Sequence, residues 1–403
     1  MSAPRILFYV QYLLGIGHVR RASLVVQALA QQGAQVDVIF GGMPVTNMSF
    51  GTATVHQLPA IKSADAAFSG LVKADGSVFS EDDKQARAAQ LIDLCEQCQP
   101  DLIVTETYPF GRRQMRFELT PLLNWASQQT RPPVLVASIR DILQRRSEVR
   151  EQECIDLINN RYQHVLVHGD EAFYPLQKSF PPASQIADKL SYSGYVCPQL
   201  PSDTAKNSER RRAFTQAGGN IIVSIGGGSV GKQILQAALT LCEQGFANQW
   251  QWLLITGPNM DSNDKRYFRN KALSLSNLEV TDLAENFLGQ LSQADLSISM
   301  AGYNTIMDLL VTGTPSVVIP FEGSGETEQI SRAIELEQQS VVQVVNESEL
   351  TPEHLAKAML CAIEQTPQTL PIDNQGAQQS AQQLITWANA NSMADSNHRS
   401  EDN

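Results

Sequence analysis

Residues 220–242 read NIIVSIGGGSVGKQILQAALTLC, and this stretch decides the fold. The apolar run at 220–225 predicts a buried β-strand, and the glycines after it predict a tight turn. Residues 231–242 have the apolar spacing of an amphipathic helix. A strand that turns directly into a helix is half of a β-α-β unit, and such units build parallel sheets with helices on both faces.

The same alternation of strands and helices continues on both sides of this stretch. Strands are predicted at 6–10, 36–40, 101–105, 134–138, 164–168, 252–256, 278–281, 296–299 and 316–320. Helices are predicted at 20–31, 85–98, 287–293, 305–311 and 328–338. The pattern predicts an α/β protein with two Rossmann-like parallel-sheet domains that face each other across a cleft, with the ligand between them.

The stretch VCPQLPSDTAKNSERRRAFTQAGG interrupts the pattern at residues 196–219 and has the proline, glycine and polar content of a linker. We therefore predict an N-terminal domain and a C-terminal domain on either side of a hinge. The expected bounds are 1–195 for the first domain, 196–219 for the hinge, 220–370 for the second domain, 371–390 for a last helix and 391–403 for a disordered tail.

The composition excludes several classes of protein. The 403 residues are 42% hydrophobic and carry a net charge of −12, which argues against a disordered chain and a nucleic-acid binder. No apolar run reaches the ~20 residues of a membrane span. Six cysteines suit a reducing cytosol. Cys95 and Cys98 form a C-x-x-C motif without a second pair at zinc spacing, so no metal site is predicted.

The first candidate motif is LLGIGHVRR at residues 13–21, between a predicted strand and a predicted helix. Gly15 and Gly17 allow a tight turn, but the dinucleotide fingerprint fails because its third glycine is replaced by Arg20. His18 lies at the first turn of the helix, where it can act as a general base. A helix-capping histidine without chemistry is an equally good interpretation.

The second candidate motif is the glycine turn after the strand at 220–225. It nearly matches a P-loop, but Gln233 stands where a serine or threonine must hold magnesium. The backbone of Gly226, Gly227 and Gly228, with Ser229 Oγ, can instead cradle a diphosphate at a helix N-terminus. A simple tight turn is the alternative.

The third candidate motif is SMAGYNTIMD at residues 299–308, followed by an acidic loop at 322–328. Asp308 is predicted near the start of a helix, where a carboxylate can accept both hydroxyls of a ribose or can simply compensate the helix dipole. The carboxylates of the loop can hold sugar hydroxyls or remain solvated.

These three motifs, in this order, resemble the MurG-like family-28 glycosyltransferases of the GT-B fold, a group of bacterial predicted glycosyltransferases among them. The resemblance covers most of residues 5–30 and 220–345, and the block AGYNT…D…GTP…P…EQ…RA is its most specific part. It implies that His18 is the base or orients the acceptor, and that Gly15 and Gly17 shape the acceptor loop. It also implies a donor site that holds a nucleotide sugar. The residues of that site would be Gly226, Gly227, Gly228, Ser229, Phe287, Leu288, Gly302, Asn304, Thr305, Asp308, Glu328 and Gln329.

The expected activity is inverting, metal-independent transfer of a sugar from a UDP-sugar, without a cofactor, to an acceptor that is a glycan, a lipid-linked molecule or a small molecule. Basic clusters in the first half of the chain favour an anionic acceptor. We expect Glu106, Arg112 and Arg140 on the acceptor side, together with Arg113, Glu118 and Asp141. For each of these residues a surface or salt-bridge role is the alternative.

Two other functions remain open at this point. Nucleotide-sugar hydrolases share the fold and the GxGH-type helix start, and in that interpretation His18 activates water. A non-catalytic protein that binds a nucleotide sugar is the third possibility. The family's ribose-binding residue is commonly Glu, and Asp308 is one methylene shorter, so the resemblance leaves the donor sugar open. We expect a cytoplasmic protein with no nucleic-acid partner, and weak peripheral contact with the inner membrane face if the acceptor is lipid-linked.

Overall fold

The computed structural model of the chain describes residues 3–13, 17–45, 48–64, 70–200, 214, 218–323, 327–365 and 373–401, with side chains up to residue 391. The chain divides into two compact units. Unit 1 consists of Met1–Cys197 and Ile372–Asn403, and unit 2 consists of Pro198–Pro371. The first and last segments of the chain therefore belong to the same unit.

Unit 1 is built on a parallel sheet of seven strands. The strands of the unit are β1 (Arg5–Val10), β2 (Gln35–Phe40), β3 (Thr54–Gln57), β4 (Ile61–Ser63), β5 (Leu71–Lys73), β6 (Leu102–Glu106), β7 (Val134–Arg140), β8 (His164–His168) and β9 (Leu190–Tyr192). The sheet order is β3-β2-β1-β6-β7-β8-β9, and β4 and β5 form a separate antiparallel hairpin. The helices are α1 (Gly17–Gln31), α2 (Glu81–Cys98), α3 (Arg116–Gln128), α4 (Glu148–Arg161) and, at the end of the chain, α11 (Gly376–Glu401).

Helices cover both faces of this sheet, which explains why its strands are apolar on both sides. Leu7 and Tyr9 of β1 pack into a core with α2, α3 and α4. The alternate residues Ile6 and Phe8 pack into a second core with α1 and α11, because successive side chains of a strand point to opposite faces.

Unit 2 repeats this plan with a parallel sheet of six strands. Its strands are β10 (Asn220–Ser224), β11 (Gln251–Ile255), β12 (Leu278–Thr281), β13 (Leu296–Met300), β14 (Ser316–Ile319) and β15 (Gln343–Val344), in the order β12-β11-β10-β13-β14-β15. Its helices are α5 (Lys232–Glu243), α6 (Ser262–Ala272), α7 (Phe287–Gln293), α8 (Tyr303–Thr312), α9 (Glu328–Gln338) and α10 (Pro352–Glu364). Ile221 packs with α5, α6 and α10, while the next residue, Ile222, packs with Phe287 of α7.

The strands predicted from the sequence are all present, with ends that shift by at most two residues. Three of the predicted helices differ from the structure by more than two residues, and α3, α4, α6 and α10 were not predicted. α2 begins at Glu81, four residues before the predicted start. α1 begins at Gly17, three residues before the predicted start, so His18 lies inside the helix. α11 continues to Glu401, where the sequence predicts a tail after residue 390. Most of the predicted hinge at 196–219 lies outside the described residues.

The last helix is a structural part of unit 1. Its buried residues Ala377, Ala381, Leu384 and Ala388 pack into the core on the α1 side of the sheet. Trp387 stacks on the ring of His164 with 4.0 Å between the ring centroids. Among the described residues, none of the helices combines the length and the apolar character that a membrane span requires.

Candidate functional site

The carboxyl edge of the sheet in unit 1 gathers the polar side chains of the first candidate site. β1 pairs with β6, and the order of the strands reverses at this pair: β2 and β3 lie on the β1 side, and β7, β8 and β9 lie on the β6 side. Such a reversal leaves a crevice outside the carboxyl ends of the two strands, where open α/β sheets bind their ligands. His18 is the second residue of α1, which follows β1, and Glu106 is the last residue of β6.

Glu106 is buried, and both of its carboxylate oxygens have partners. Oε1 accepts a hydrogen bond from Arg21 Nη2 and lies 3.2 Å from Nδ1 of His18. Oε2 accepts a hydrogen bond of 2.6 Å from Ser138 Oγ. Burial alone would raise the pKa of Glu106, but the Arg21 charge beside it holds that pKa well below its ordinary value. The carboxylate is therefore ionised at neutral pH.

The ring of His18 is held through one of its nitrogens. Nδ1 lies 3.2 Å from Glu106 Oε1, from Arg21 Nη2 and from Thr107 Oγ1. An ionised carboxylate can only accept hydrogen bonds, so it favours the tautomer with the proton on Nδ1. Within the described residues all hydrogen bonds of the ring involve Nδ1, and the side chain is 18% exposed. In that tautomer Nε2 keeps a lone pair that can take a proton from a ligand, whereas Arg21, which can only donate, favours the opposite tautomer.

Burial lowers the pKa of His18 to about 3. The hydrogen bond with Glu106 opposes this shift, and the positive charges of Arg112, Arg21 and Arg140 add to it. The imidazole is consequently neutral throughout the physiological pH range and can accept a proton, but a pKa this far below neutral makes it a weaker base than an ordinary histidine.

A second layer of hydrogen bonds supports Glu106 from behind. Ser138 Oγ, which donates to Glu106, lies 2.8 Å from Nε2 of His168, the last residue of β8. Nδ1 of His168 lies 3.1 Å from Ser193 Oγ and 3.2 Å from Ser380 Oγ of α11. Burial lowers the pKa of His168 to about 3 as well, so this ring is neutral. Sequence analysis missed this layer, although the HVLVH strand that carries His168 was predicted.

Two arginines of the acceptor-side prediction, Arg112 and Arg140, lie close to His18. Burial lowers the pKa of Arg112 to about 10; the charge of Glu106 opposes that shift and the charge of Arg140 adds to it. Arg112 Nε is buried and makes no hydrogen bond within the described part of the chain. Arg140 is the last residue of β7 and is partly buried. A guanidinium with an unused buried N–H group, next to a second guanidinium, suits an anionic ligand.

The other acceptor-side candidates have structural roles. Arg113 pairs with Glu153 at 3.4 Å on the surface. Glu118 accepts a buried hydrogen bond of 2.7 Å from Arg87 Nε, on the face of the sheet that α2 and α3 cover. Asp141 is buried and accepts a hydrogen bond of 2.7 Å from Tyr195 Oη. Gly17 begins α1, whereas Gly15 lies outside the described residues.

The second candidate site lies at the corresponding edge of unit 2. β10 pairs with β13, and the strand order again reverses at this pair. The glycine turn follows β10 and leads into α5, and α8 begins just after β13. The N-termini of α5 and α8 therefore lie at the same crevice. No side chain among the described residues caps the N-terminus of α5 or of α8. Their first backbone N–H groups are therefore suited to an anion.

Close backbone packing explains why this turn needs glycine. Gly228 has a φ of +85°, and a Cβ atom there would lie 2.4 Å from the carbonyl oxygen of Thr256. Gly257 has a φ of +79°, and its Cβ atom would lie 2.5 Å from the carbonyl oxygen of Gly226. Ser229 is exposed at the tip of the turn. Lys232, the lysine of the near-P-loop, forms an ion pair of 2.6 Å with Asp264.

The remaining donor-site candidates occupy α7, α8 and α9. Asp308 is the sixth residue of α8 and is buried, deeper in the helix than predicted. Glu328 begins α9 and accepts a buried hydrogen bond of 2.9 Å from Arg332. Gln329 Oε1 accepts a hydrogen bond of 3.2 Å from the backbone of Phe321. The candidates at partly buried positions are Phe287, Leu288, Gly302, Asn304 and Thr305.

Comparison with known proteins assigns the second half of the chain. Residues 222–386 match the model of the glycosyltransferase family 28 C-terminal domain. The UDP-N-acetylglucosamine--N-acetylmuramyl-(pentapeptide) pyrophosphoryl-undecaprenol N-acetylglucosamine transferase of Rippkaea orientalis is 36% identical over 110 residues, which are 26% of this chain and 31% of that protein. Its namesake in Synechocystis is 29% identical over 150 residues, 37% of this chain and 40% of that protein. The chain thus spans less than half the length of these relatives.

Solved structures match the whole chain. MurG of Acinetobacter baumannii has a TM-score of 0.58 at 15% identity, with 96% of this chain and 100% of that chain covered. The glycotransferase of kitacinnamycin has a TM-score of 0.59 at 14% identity, with 98% and 99% covered. These likenesses show the fold, a pair of Rossmann-like domains of the GT-B type. With the domain match, they confirm the resemblance to MurG-like family-28 glycosyltransferases.

Proposed function

We propose that this chain, which carries a family-28 C-terminal domain on a GT-B fold, is an inverting, metal-independent glycosyltransferase. The donor would be a UDP-sugar, and His18 would be the base. The observation that carries the proposal is the geometry of His18. Its Nδ1 faces the buried carboxylate of Glu106, and its Nε2 has no partner among the described residues.

In the proposed reaction the acceptor hydroxyl attacks the anomeric carbon from the side opposite the leaving UDP. His18 Nε2 takes the hydroxyl proton as the new C–O bond forms, while the bond to the diphosphate breaks. The ring becomes an imidazolium next to the ionised Glu106, whose negative charge offsets part of the effect of burial and of the nearby arginine charges. Glu106 acts through His18, so it is a positioning residue, and Arg21 and Ser138 hold it in place.

The diphosphate gains negative charge as it leaves. In our proposal the glycine turn of residues 226–229 and the N-terminus of α5 stabilise this charge with backbone N–H groups and Ser229 Oγ. Asp308 would accept the hydroxyls of the ribose, and Phe287 would lie beside the uracil ring of the UDP-sugar.

Arg112 and Arg140 support an anionic acceptor, because they place two positive charges near the base. A glycan, a lipid-linked molecule or a small molecule with a phosphate or a carboxylate meets this requirement. We propose that the protein works in the cytoplasm. With a lipid-linked acceptor it would contact the inner membrane face peripherally, and sedimentation with anionic vesicles measures that contact.

Calorimetric titration of the full chain with UDP, in EDTA and without added metal, tests the donor site. We expect saturable binding that weakens about 10-fold or more in Ser229→Ala, the range of one lost hydrogen bond to a charged group. The control Ser274→Ala removes an exposed hydroxyl that bonds only the carbonyl of Lys271, and it should bind UDP normally. Equal binding by Ser229→Ala would contradict the proposed diphosphate cradle, and no binding of UDP by the full chain would contradict the UDP donor.

Transfer and hydrolysis differ in the need for an acceptor. The hydrolase alternative predicts that a UDP-sugar releases free sugar with the protein alone, at a rate that falls in His18→Ala. Our proposal predicts negligible release until an acceptor is added. A fast, His18-dependent release of sugar in water would replace the transferase proposal with the hydrolase.

A further inference from the structure

Three side chains of types that bind metals meet in unit 1, outside the candidate site. Asp37 belongs to β2, His56 belongs to the edge strand β3, and Cys98 is the last residue of α2. His56 Nε2 lies 2.8 Å from Asp37 Oδ1 and 3.9 Å from Cys98 Sγ. All three ligand atoms lie within 4.8 Å of one another.

We propose that Asp37, His56 and Cys98 bind a divalent cation of the Zn²⁺ class. A carboxylate, an imidazole and a thiolate are the three ligand types that Zn²⁺ takes in proteins. This inference concerns a different place from the donor site and does not depend on the proposed function.

The two distances from His56 need little change to fit a tetrahedral ion, and Asp37 and Cys98, whose ligand atoms lie within 4.8 Å of each other, would also have to reach bonding positions. Zinc bonds of about 2.0 Å to N and O and about 2.3 Å to S place neighbouring N and O ligands about 3.3 Å apart and N and S ligands about 3.5 Å apart. His56 and Asp37 would separate by about half an ångström, and His56 and Cys98 would approach by less than that. The three protein ligands leave the fourth position to a water molecule.

The charges around the cluster balance with the ion present. A thiolate and a carboxylate contribute two negative charges, which neutralise a divalent cation when His56 is neutral. Arg5 is the positive side chain close to Cys98, and its charge is shared with Asp101, whose Oδ2 lies 3.7 Å from Arg5 Nε. The ligand side chains are mostly buried, with 11% of Asp37 and 24% of His56 exposed.

The cluster lies away from the candidate catalytic site. Asp37 pairs with Leu7 in the first half of β1, and Cys98 lies shortly before the amino end of β6. The cluster therefore lies toward the amino edge of the sheet, whereas His18 and Glu106 lie at the carboxyl edge. A bound ion would connect the short edge strand β3 to β2 and to the end of α2. The C-x-x-C motif does not form this site, because Cys95 is buried in the core and is not part of the cluster.

Titration of the metal-stripped full chain with Co²⁺ and then Zn²⁺ tests the site. We expect one equivalent to bind, with a thiolate-to-cobalt charge-transfer band that Zn²⁺ abolishes, and a higher melting temperature in Zn²⁺. Cys98→Ser should lose the band and weaken the affinity by more than the 10- to 100-fold that outer-shell changes cost. His56→Gln, which can still hydrogen-bond Asp37, should weaken the affinity similarly.

The matched control is Cys361→Ser, which removes an exposed thiol on α10 in unit 2 and should leave the band unchanged. Far-ultraviolet circular dichroism shows that each variant is folded before titration. An unchanged band in folded Cys98→Ser, loss of the band in Cys361→Ser, or no stoichiometric binding by the unmodified chain would each overturn the proposal.

Discussion

His18 and Glu106 form the contact on which the proposed chemistry depends. Replacing His18 with Ala removes the base but leaves unit 2 unchanged. Turnover should therefore fall 10²-fold or more, in the range of a catalytic base, while UDP binding stays within twofold. Initial rates with a UDP-sugar and calorimetry with UDP measure the two effects. Near-normal turnover would exclude His18 from the mechanism.

His168 makes the stability of unit 1 depend on pH. Burial lowers its folded pKa to about 3, whereas the unfolded value is near 6.5. Between these values the unfolded chain binds a proton that the folded chain does not, so stability is lost as the pH falls below 6.5. His168→Gln should reduce this dependence by up to about 1.4 kcal/mol per pH unit between pH 6.5 and 5.

Urea unfolding at pH 7.5, 6.5 and 5.5 measures this difference. Glu106 does not interfere in that range, because its pKa is lowered and its contribution is lost only at more acidic pH. His18, whose pKa is also lowered to about 3, contributes equally in the variant and the unmodified chain, so the difference between their slopes isolates His168. His354 is exposed on α10, so His354→Gln is the control and should keep the full dependence. Equal slopes for His168→Gln and the unmodified chain would show that His168 is not the group responsible.

The candidate base could be predicted from the sequence, but its partners could not. His18 is identifiable because it follows a glycine pair between a strand and a helix. Glu106 ends β6 and Ser138 lies within β7, and only the pairing of these two strands brings the residues side by side. No local pattern separates Glu106, which contacts His18, from Glu118, which is buried against Arg87.

Among the elements, the glycine turn after β10 gives a direct test of backbone packing. Gly228→Ala places a Cβ atom 2.4 Å from Thr256 O at a φ of +85°, so the turn must move. Gly245→Ala is the matched control, because Gly245 has a φ of +77° and an added Cβ atom there meets nothing within 4 Å. Gly245→Ala should lower the free energy of unfolding only by the ~1–2 kcal/mol that a left-handed backbone conformation costs a residue with a Cβ atom.

Thermal unfolding and UDP titration of both variants separate packing from strain. Gly228→Ala should be the less stable of the two and should bind UDP at least 10-fold more weakly, because each lost charge-assisted hydrogen bond costs about 1.5–3 kcal/mol. Gly245→Ala should bind UDP normally. Similar stability and similar binding in the two variants would mean that the packing of Gly228 on Thr256 is unimportant.

The central strands were predictable because they are buried on both faces and form continuous apolar runs. Elements at the margin of the sheet in unit 1 gave no such signal. β3 is exposed at three of its four positions, and the hairpin strands β4 and β5 have three residues each. α4 is rich in charged residues, so its few buried positions did not stand out in the sequence.

In the whole molecule, the return of the chain to unit 1 is the feature that sequence analysis did not anticipate. It predicted two α/β domains, and this is confirmed, but it treated residues 371–390 as an appended helix. Composition cannot show that Ala381 and Leu384 fill the core beside α1, because this contact joins the two ends of the chain.

Truncation after Gln365 tests how much this helix contributes. The free energy of unfolding of unit 1 should fall by roughly 3 kcal/mol or more, because burying one leucine contributes about 1.5–3 kcal/mol and the buried alanines contribute further. A chain that ends at Asn391 is the control, because it keeps Leu384 and Ala388. Calorimetry should show a lower transition for unit 1 in the first truncation only. UDP binding should persist in both, and an unchanged transition would contradict a structural role for α11.

The closing helix also sets an order of events during synthesis. Unit 2 is one continuous segment, so a ribosome completes it before α11 has emerged. The sheet of unit 1 is synthesised first, but its apolar surface beside α1 is covered last. The helix that covers it, α11, lies nearly 350 positions further along the chain. During that interval the N-terminal segment of unit 1 exposes apolar surface. We therefore expect a chaperone that holds nascent chains to bind this segment rather than unit 2.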